Sequence, residues 1–282
     1  MELKSQREKA EKLRSMHRGS EILVLPNAWD AASAVIFAEA GFQAVASTSA
    51  GVAAVLGYPD GQIISRDEMV MMVGVIARAV DVPVTADMEA GYGDSPDAMV
   101  ELSRALLDAG AVGLNLEDAA YGGDKPLLDQ ALAIEKIQTI RETSGKLGVS
   151  LVVNARTDVY LLEVGEPEER FTETVRRLNA YYAAGADSVF APGVRDAETI
   201  GKLVQALDGP LNILAGTGTP PIAELAALGV RRVSLGSGPM RATMTLTHRI
   251  AAQLRDEGVY TEFTEGAIAH SGVNELMKHG GR

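Results

Sequence analysis

Eight short apolar runs recur along the chain, each followed by a longer stretch with helical periodicity, and this alternation limits the fold more than any other feature. The runs are Ile22–Leu25, Ala44–Ala46, Val84–Ala86, Gly113–Leu116, Leu151–Ala155, Ser188–Ala191, Leu211–Ala215 and Arg232–Leu235. They are apolar throughout rather than at every second position, the pattern of parallel strands buried on both faces. Eight strand–helix units predict a closed (β/α)₈ TIM barrel, with a doubly wound open sheet as the alternative. A barrel of this kind takes about 250 residues, so the 282 residues read as one domain, 1–282. It carries an N-terminal helix within 1–20 and a C-terminal helical extension over 258–282.

The punctuation between the runs agrees. Asp30 is placed to cap a helix over Ala31–Ala40. Ser65 is followed three residues later by Glu68, a capping box. Ser95-Pro96 is a cap with proline at the first helical position. The pairs Ala40-Gly41, Ala109-Gly110, Ala184-Gly185 and Leu228-Gly229 offer a left-handed glycine where helix returns to strand.

Composition narrows the chemistry. The chain has no cysteine, which excludes disulfides, thiolate metal sites and a cysteine nucleophile. Its net charge of −12 opposes nucleic acid and anionic membranes as partners. The first residues, MELKSQREKAEKLRSMHRGSE, hold no apolar run of the signal-peptide kind. No apolar stretch approaches the roughly 20 residues that cross a bilayer, so a cytoplasmic location is expected.

A barrel of this type does its chemistry at the C-terminal ends of the strands. Ser47-Thr48-Ser49-Ala50-Gly51 follows the second run, with Asp60 further on. Asp87-Met88-Glu89 follows the third, Glu117-Asp118 the fourth and Arg156-Thr157-Asp158 the fifth. Carboxylates crowded at one mouth must raise a pKa or bind a cation. Oxygen donors without histidine suit Mg²⁺ or Mn²⁺. His17, His248, His270 and His279 all fall in terminal or helical segments, as surface or packing residues. Arg156 offers a fixed charge to a substrate carboxylate or a developing oxyanion, or an ion pair to a neighbouring acid. The small residues of Ser47–Gly51 can turn backbone N–H groups towards an anion. Ala215-Gly216-Thr217-Gly218-Thr219 and Gly236-Ser237-Gly238 follow the last two runs. Phosphate is often bound there in barrels, although glycines also serve any tight corner.

Four segments taken together, STSAGVAAVLGYPD, ADMEAGYGD, LNLEDA and NARTD, resemble the isocitrate lyase/phosphoenolpyruvate mutase superfamily in order and position. That resemblance implies a TIM barrel with extra terminal helices and an eighth helix exchanged between paired subunits in a homo-oligomer, a dimer of such dimers. It also implies a Mg²⁺ (or Mn²⁺) ion held by Asp87, Glu89 and Glu117, Glu117 acting through metal-bound water. Asp60 would stand near the reacting end of the substrate, and Arg156 would contact its oxygens. Ser47, Thr48 and Ser49 would bind the carboxylate of a small 2-oxo acid. The family's lyases carry a cysteine–histidine motif in the loop after the fourth strand. This chain has the shorter Tyr121–Pro126 there. Pro192 stands in place of a glutamate, Gly216 in place of an asparagine and Val45 in place of a tyrosine. The half of the site that holds the metal and the oxo acid is present, whereas the half that specifies the reaction departs.

The expected activity is therefore C–C cleavage or decarboxylation of an oxaloacetate-like 2-oxo (di)carboxylic acid through a metal-stabilised enolate. Decarboxylation ranks first because it needs an electron sink and no strong general acid. P–C chemistry on a phosphonate, or metal-dependent binding of a 2-oxo acid without turnover, are the alternatives.

Overall fold

The computed structural model describes residues 3–122 and 124–278; His279 lies outside them. Nine parallel strands form one sheet: β1 (Leu23–Leu25), β2 (Asn27–Ala28), β3 (Val45–Ser47), β4 (Val84–Asp87), β5 (Gly113–Glu117), β6 (Val152–Arg156), β7 (Ser188–Phe190), β8 (Leu211–Leu214) and β9 (Arg232–Ser234). The predicted first strand is two strands. Proline has no N–H to give to a ladder, and the ladder breaks at Pro26. Before it, β1 pairs with β9; after it, β2 pairs with β3. The Pro26 carbonyl still accepts from the Ala46 N–H at 2.9 Å. One broken strand thus reaches both neighbours and closes the sheet into the expected (β/α)₈ barrel. The other seven strands lie where the apolar runs predict, within a residue or two at each end.

The predicted helix signals act as read. Asp30 and Ser33 form a reciprocal cap at the start of α2 (Ala31–Glu39), and Ser65 and Glu68 do so for α4 (Arg66–Ala79). Ser95 caps α5 (Pro96–Ala109), which ends on left-handed Gly110 at φ 93°.

The barrel interior is layered. At the bottom, α1 (Leu3–Arg18) acts as a plug, packing Ala10 and Leu13 on Leu23, Leu25, Ala46 and Val152. Gly113 makes room for it: a Cβ there would lie 2.8 Å from the Val152 carbonyl oxygen and 3.1 Å from Leu13 Cδ2. The middle layer is polar. Ser188 donates to Asn154, Asn154 to Asn115, and the fully buried Arg232 also to Asn115. His17 is buried from α1, its Nδ1 on the Leu13 carbonyl and its Nε2 3.3 Å from Arg232 Nη1. Burial first, then the Arg232 charge, pulls its pKa down to about 4. The main apolar core lies outside the barrel, between strands and helices, with Leu102, Leu106, Ile137, Ile140, Leu178 and Leu203 fully buried.

The C-terminal segment leaves the barrel. In α10 (Gly238–Asp256) only Met240 is buried, and no residue of α11 (Thr261–Thr264) or α12 (His270–Lys278) is. Leu276 and Met277 of α12 rest partly buried on the cluster that holds Ala34 and Val35 of α2. Among the described residues no helix is long and apolar enough to cross a membrane.

Candidate active site

Three inward-facing strand ends build the mouth. Asp87 ends β4, Glu117 ends β5 and Arg156 ends β6. Asp87 pairs in register with Asn115, and Glu117 with Arg156. Above them lies a cavity of about 190 Å³ lined by Thr48, Ser49, Asp60, Asp87, Asn115 and Arg156, with Phe190 and Leu214 opposite. Drug-sized ligands take about 300–1,000 Å³, so this space suits a small molecule.

Asp87 is held from three sides. Its Oδ2 accepts the Ser49 N–H and hydroxyl, both at 3.0 Å, and its Oδ1 accepts Asn115 Nδ2 at 3.3 Å. Its own N–H donates to Ser47 Oγ at 2.8 Å. The Ser47–Gly51 turn therefore points an N–H at an anion, and that anion is Asp87. Ser47 is fully buried beneath Asp87, which it anchors. Thr48 and Ser49 line the cavity, where Thr48 caps α3 (Ser49–Val55). Exposed Asp60 stands at the rim. Partial burial, and then the Asp87 charge, raise its pKa.

Glu89 is buried behind Asp87 in a strained loop. It adopts φ 49°, with Gln62 and Tyr92 each at φ 57°. Non-glycine residues seldom enter this left-handed region. The three hold one another: Glu89 accepts the Gln62 N–H at 2.8 Å and the Tyr92 hydroxyl at 2.5 Å, and Gln62 Oε1 accepts the Tyr92 N–H at 2.9 Å. Burial raises the Glu89 pKa against the pull of these bonds. Buried Lys136 pins the same loop, donating to the Ala90 carbonyl at 2.9 Å and to Asp94 at 2.7 Å.

Arg156 is clamped. Its Nε and Nη2 meet Asp158 at 2.5 and 2.9 Å, its Nη1 meets Glu117 at 2.8 Å, and its guanidinium lies 5.7 Å from the Phe190 ring centre. Burial works against the cation, yet the Glu117 and Asp158 charges keep its pKa well above the ordinary value. Burial raises the Glu117 pKa, and Arg156 opposes that shift. The Tyr121 hydroxyl donates to Glu117 Oε1. The ion pair foreseen for Arg156 thus coexists with its place in the cavity.

Asp118, which the sequence places beside Glu117 at the mouth, turns away from the cavity. It accepts from Thr157 Oγ1 at 2.7 Å, the Asp158 N–H at 3.0 Å, Arg177 Nη1 at 3.0 Å and the Tyr181 hydroxyl at 2.7 Å. It is a buried brace between the strand ends and α7 (Pro167–Ala183). Alternation explains this, since successive strand residues point to opposite faces. The glycine loops differ from each other too. Gly236 and Ser237 line the cavity, whereas Gly216–Thr219 closes a turn in which the Thr219 N–H meets the Gly216 carbonyl. Leu214, not Gly216, is the β8 residue at the cavity wall.

Sequence reasoning missed Asn27, Asn115, Gln62, Tyr92 and Lys136. Asn27 receives the Leu235 and Gly236 N–H groups at 2.8 and 2.9 Å and donates to the Ser47 carbonyl, tying both ends of the barrel seam. Polar residues inside otherwise apolar runs were the available signal for Asn115 and Asn154. Nothing local marks Lys136, which reaches the loop from α6 (Gln130–Lys146).

Barrel and mouth together give a (β/α)₈ barrel with a carboxylate-and-arginine candidate site at the C-terminal ends of its strands. The chain belongs to the phosphoenolpyruvate phosphomutase family, whose model matches residues 13–255. It is similar to an oxaloacetate decarboxylase of Chromohalobacter salexigens, 31% identical with 89% of this chain and 87% of that protein covered. It is also similar to a 2-methylisocitrate lyase of Halalkalibacterium halodurans, 27% identical over 90% and 85% of the two chains. A crystal structure described as a putative lyase/mutase from Burkholderia cenocepacia superposes with a TM-score of 0.89 at 36% identity, covering 96% of each chain. The expected superfamily and an enzyme of the lyase/mutase type are thus both established.

Proposed function

We propose that the chain is a Mg²⁺-dependent carbon–carbon lyase that decarboxylates or cleaves a small, oxaloacetate-like 2-oxo acid. The observation that carries this reading is the pairing of a braced aspartate, Asp87, with a clamped arginine, Arg156, across one small cavity. The donor set fits such a cation: Asp87, Glu89 and Glu117 offer only oxygen, and Mg²⁺ keeps several of its waters. Among the described residues no three acidic or imidazole groups converge closely enough to hold a metal alone, so in this reading Asp87, the one of the three that lines the cavity, is the direct ligand and Glu89 and Glu117 act through water. Mn²⁺ would serve in the same place. When bound, the cation supplies the positive charge that stabilises an enolate.

The chain's own residues do the rest. Arg156 lines the cavity while Asp158 fixes its plane, so it can take up charge growing on a substrate oxygen. Thr48 and Ser49 orient the acid at the rim of β3. Tyr92 and Tyr121 hold the Glu89 and Glu117 carboxylates in place. Decarboxylation asks for no proton donor at the step that breaks the bond, which suits a loop without the cysteine–histidine motif.

We further propose that a second copy covers α10 in a homo-oligomer, because Met244, Leu246 and Leu254 stand exposed along it. A chain free of cysteine suits the cytoplasm. The test of function is turnover of oxaloacetate with Mg²⁺, corrected for the metal-catalysed background. A rate above background that Asp87→Ala abolishes supports the reading. No rate above background, with oxalate still bound, would leave a binding role instead.

A further inference from the structure

Part of the cavity lining is a hydrocarbon wall, beside Ser234, Gly236 and Ser237. Phe190 at the end of β7, Leu214 at the end of β8, Pro192 just beyond β7 and Leu161 beyond β6 make that wall. The wall is built rather than incidental. Phe190 is buried under the Arg156 guanidinium. Leu161 is brought in by Gly193, which sits at φ 93° with its missing Cβ 2.9 Å from the Leu161 nitrogen and 3.0 Å from the Tyr160 carbonyl carbon. Any side chain at 193 would push the 160–161 backbone away.

Charge around the cavity is one-sided. Arg156 is the sole cationic side chain lining it, and Asp158 and Glu117 already neutralise that cation. The other charged groups there, Asp60 and Asp87, are acids. A second carboxylate that had to stay charged would meet hydrocarbon and two like charges, with only neutral hydroxyl and amide groups and no free cation to replace its water. A methyl or methylene group would gain from the same wall.

We infer that the acid bound here carries an alkyl group, not a second permanent carboxylate, on the chain beyond its 2-oxo group. This rests on the 2-oxo-acid reading above and narrows it. A departing carboxylate is compatible, because it leaves as neutral CO₂, whereas a carboxylate that remains in the product is not.

The test is a matched pair, 2-oxopentanoate and 2-oxoglutarate, which have the same carbon count and differ in a terminal methyl against a terminal carboxylate. Both are titrated as competitors of oxalate on the intact protein with Mg²⁺. Expected is tighter binding of 2-oxopentanoate by at least about tenfold, the cost of an unpaired buried charge. A gain of about fourfold over 2-oxobutanoate is expected for the added methylene. Leu161→Lys, at an exposed loop position, should erase the preference by giving the carboxylate a partner. Tight oxalate binding with 2-oxoglutarate equal to or better than 2-oxopentanoate overturns the inference alone. Failure of oxalate itself to bind overturns the 2-oxo-acid reading and this inference with it.

Discussion

Replacing Asp118 with asparagine should cost both stability and turnover, although Asp118 does not line the cavity. Its carboxylate accepts four hydrogen bonds, one from the Arg177 guanidinium, in a fully buried position. Asparagine keeps the shape but removes the charge, and its amide nitrogen falls at the Oδ1 position, which meets one donor, the Asp158 N–H, rather than at Oδ2, which meets three. Breaking a buried pair by removing one partner costs about 3–5 kcal/mol. The lower figure applies here, because Arg177 keeps Glu173 at 2.6 Å. Unfolding entropy of about 2.1 cal/mol/K per residue gives about 0.6 kcal/mol/K for 282 residues, so a loss of about 3 kcal/mol lowers Tm by about 5 °C. The Asp158 N–H loses its anchor at the same time, which loosens the bidentate clamp on Arg156 and should reduce turnover in protein that is still folded. Differential scanning calorimetry and steady-state kinetics on one preparation read both effects. A Tm within about 1 °C of the wild type would refute the assignment of Asp118 as a brace. A lowered Tm with unchanged turnover would refute its link to Arg156.

Two further outcomes follow from buried charge. His17 is held neutral down to about 4, below the unfolded value of about 6.5. The unfolded chain binds the extra proton between those values, so this stability is complete above pH about 6.5 and is lost as pH falls through about 4, a total of about 3 kcal/mol. Denaturant titrations at pH 7 and pH 4 should show a smaller pH-dependent loss in His17→Gln than in the wild type, and equal losses would contradict the burial of a neutral imidazole. Arg156→Lys keeps the charge but loses the planar fork on Asp158, and should lower turnover by about 10²–10³-fold while raising KM less. A raised KM with unchanged turnover would make Arg156 a substrate anchor only.

Much of the fold was legible because parallel strands buried on both faces leave continuous apolar runs, and because caps such as Ser65–Glu68 and Ser95–Pro96 are local. The split of the first strand was not read, since Pro26 acts only through which neighbour each half can reach. At the candidate site, position after a strand picked out Asp87 and Arg156, which line the cavity, and Glu89 and Glu117, which are not part of its lining, but it could not separate Glu117 from Asp118, whose side chains leave opposite faces of the barrel. The departures at Pro192 and Gly216 were seen as losses of polar groups. Only the folded chain puts Pro192 together with Leu161, Phe190 and Leu214, and replaces Gly216 by Leu214 as the wall residue. Contacts distant in sequence, such as Lys136 on the loop after β4, leave no local trace.

The most direct test of a metal-assisted 2-oxo-acid site is calorimetric titration of oxalate, whose two carboxylates imitate the planar enolate, into wild-type protein and Asp87→Ala, with Mg²⁺ and with excess chelator. Tight binding by the wild type with Mg²⁺, lost both in chelator and in Asp87→Ala, is the predicted result. Oxalate affinity unchanged by the chelator or by the substitution would contradict it.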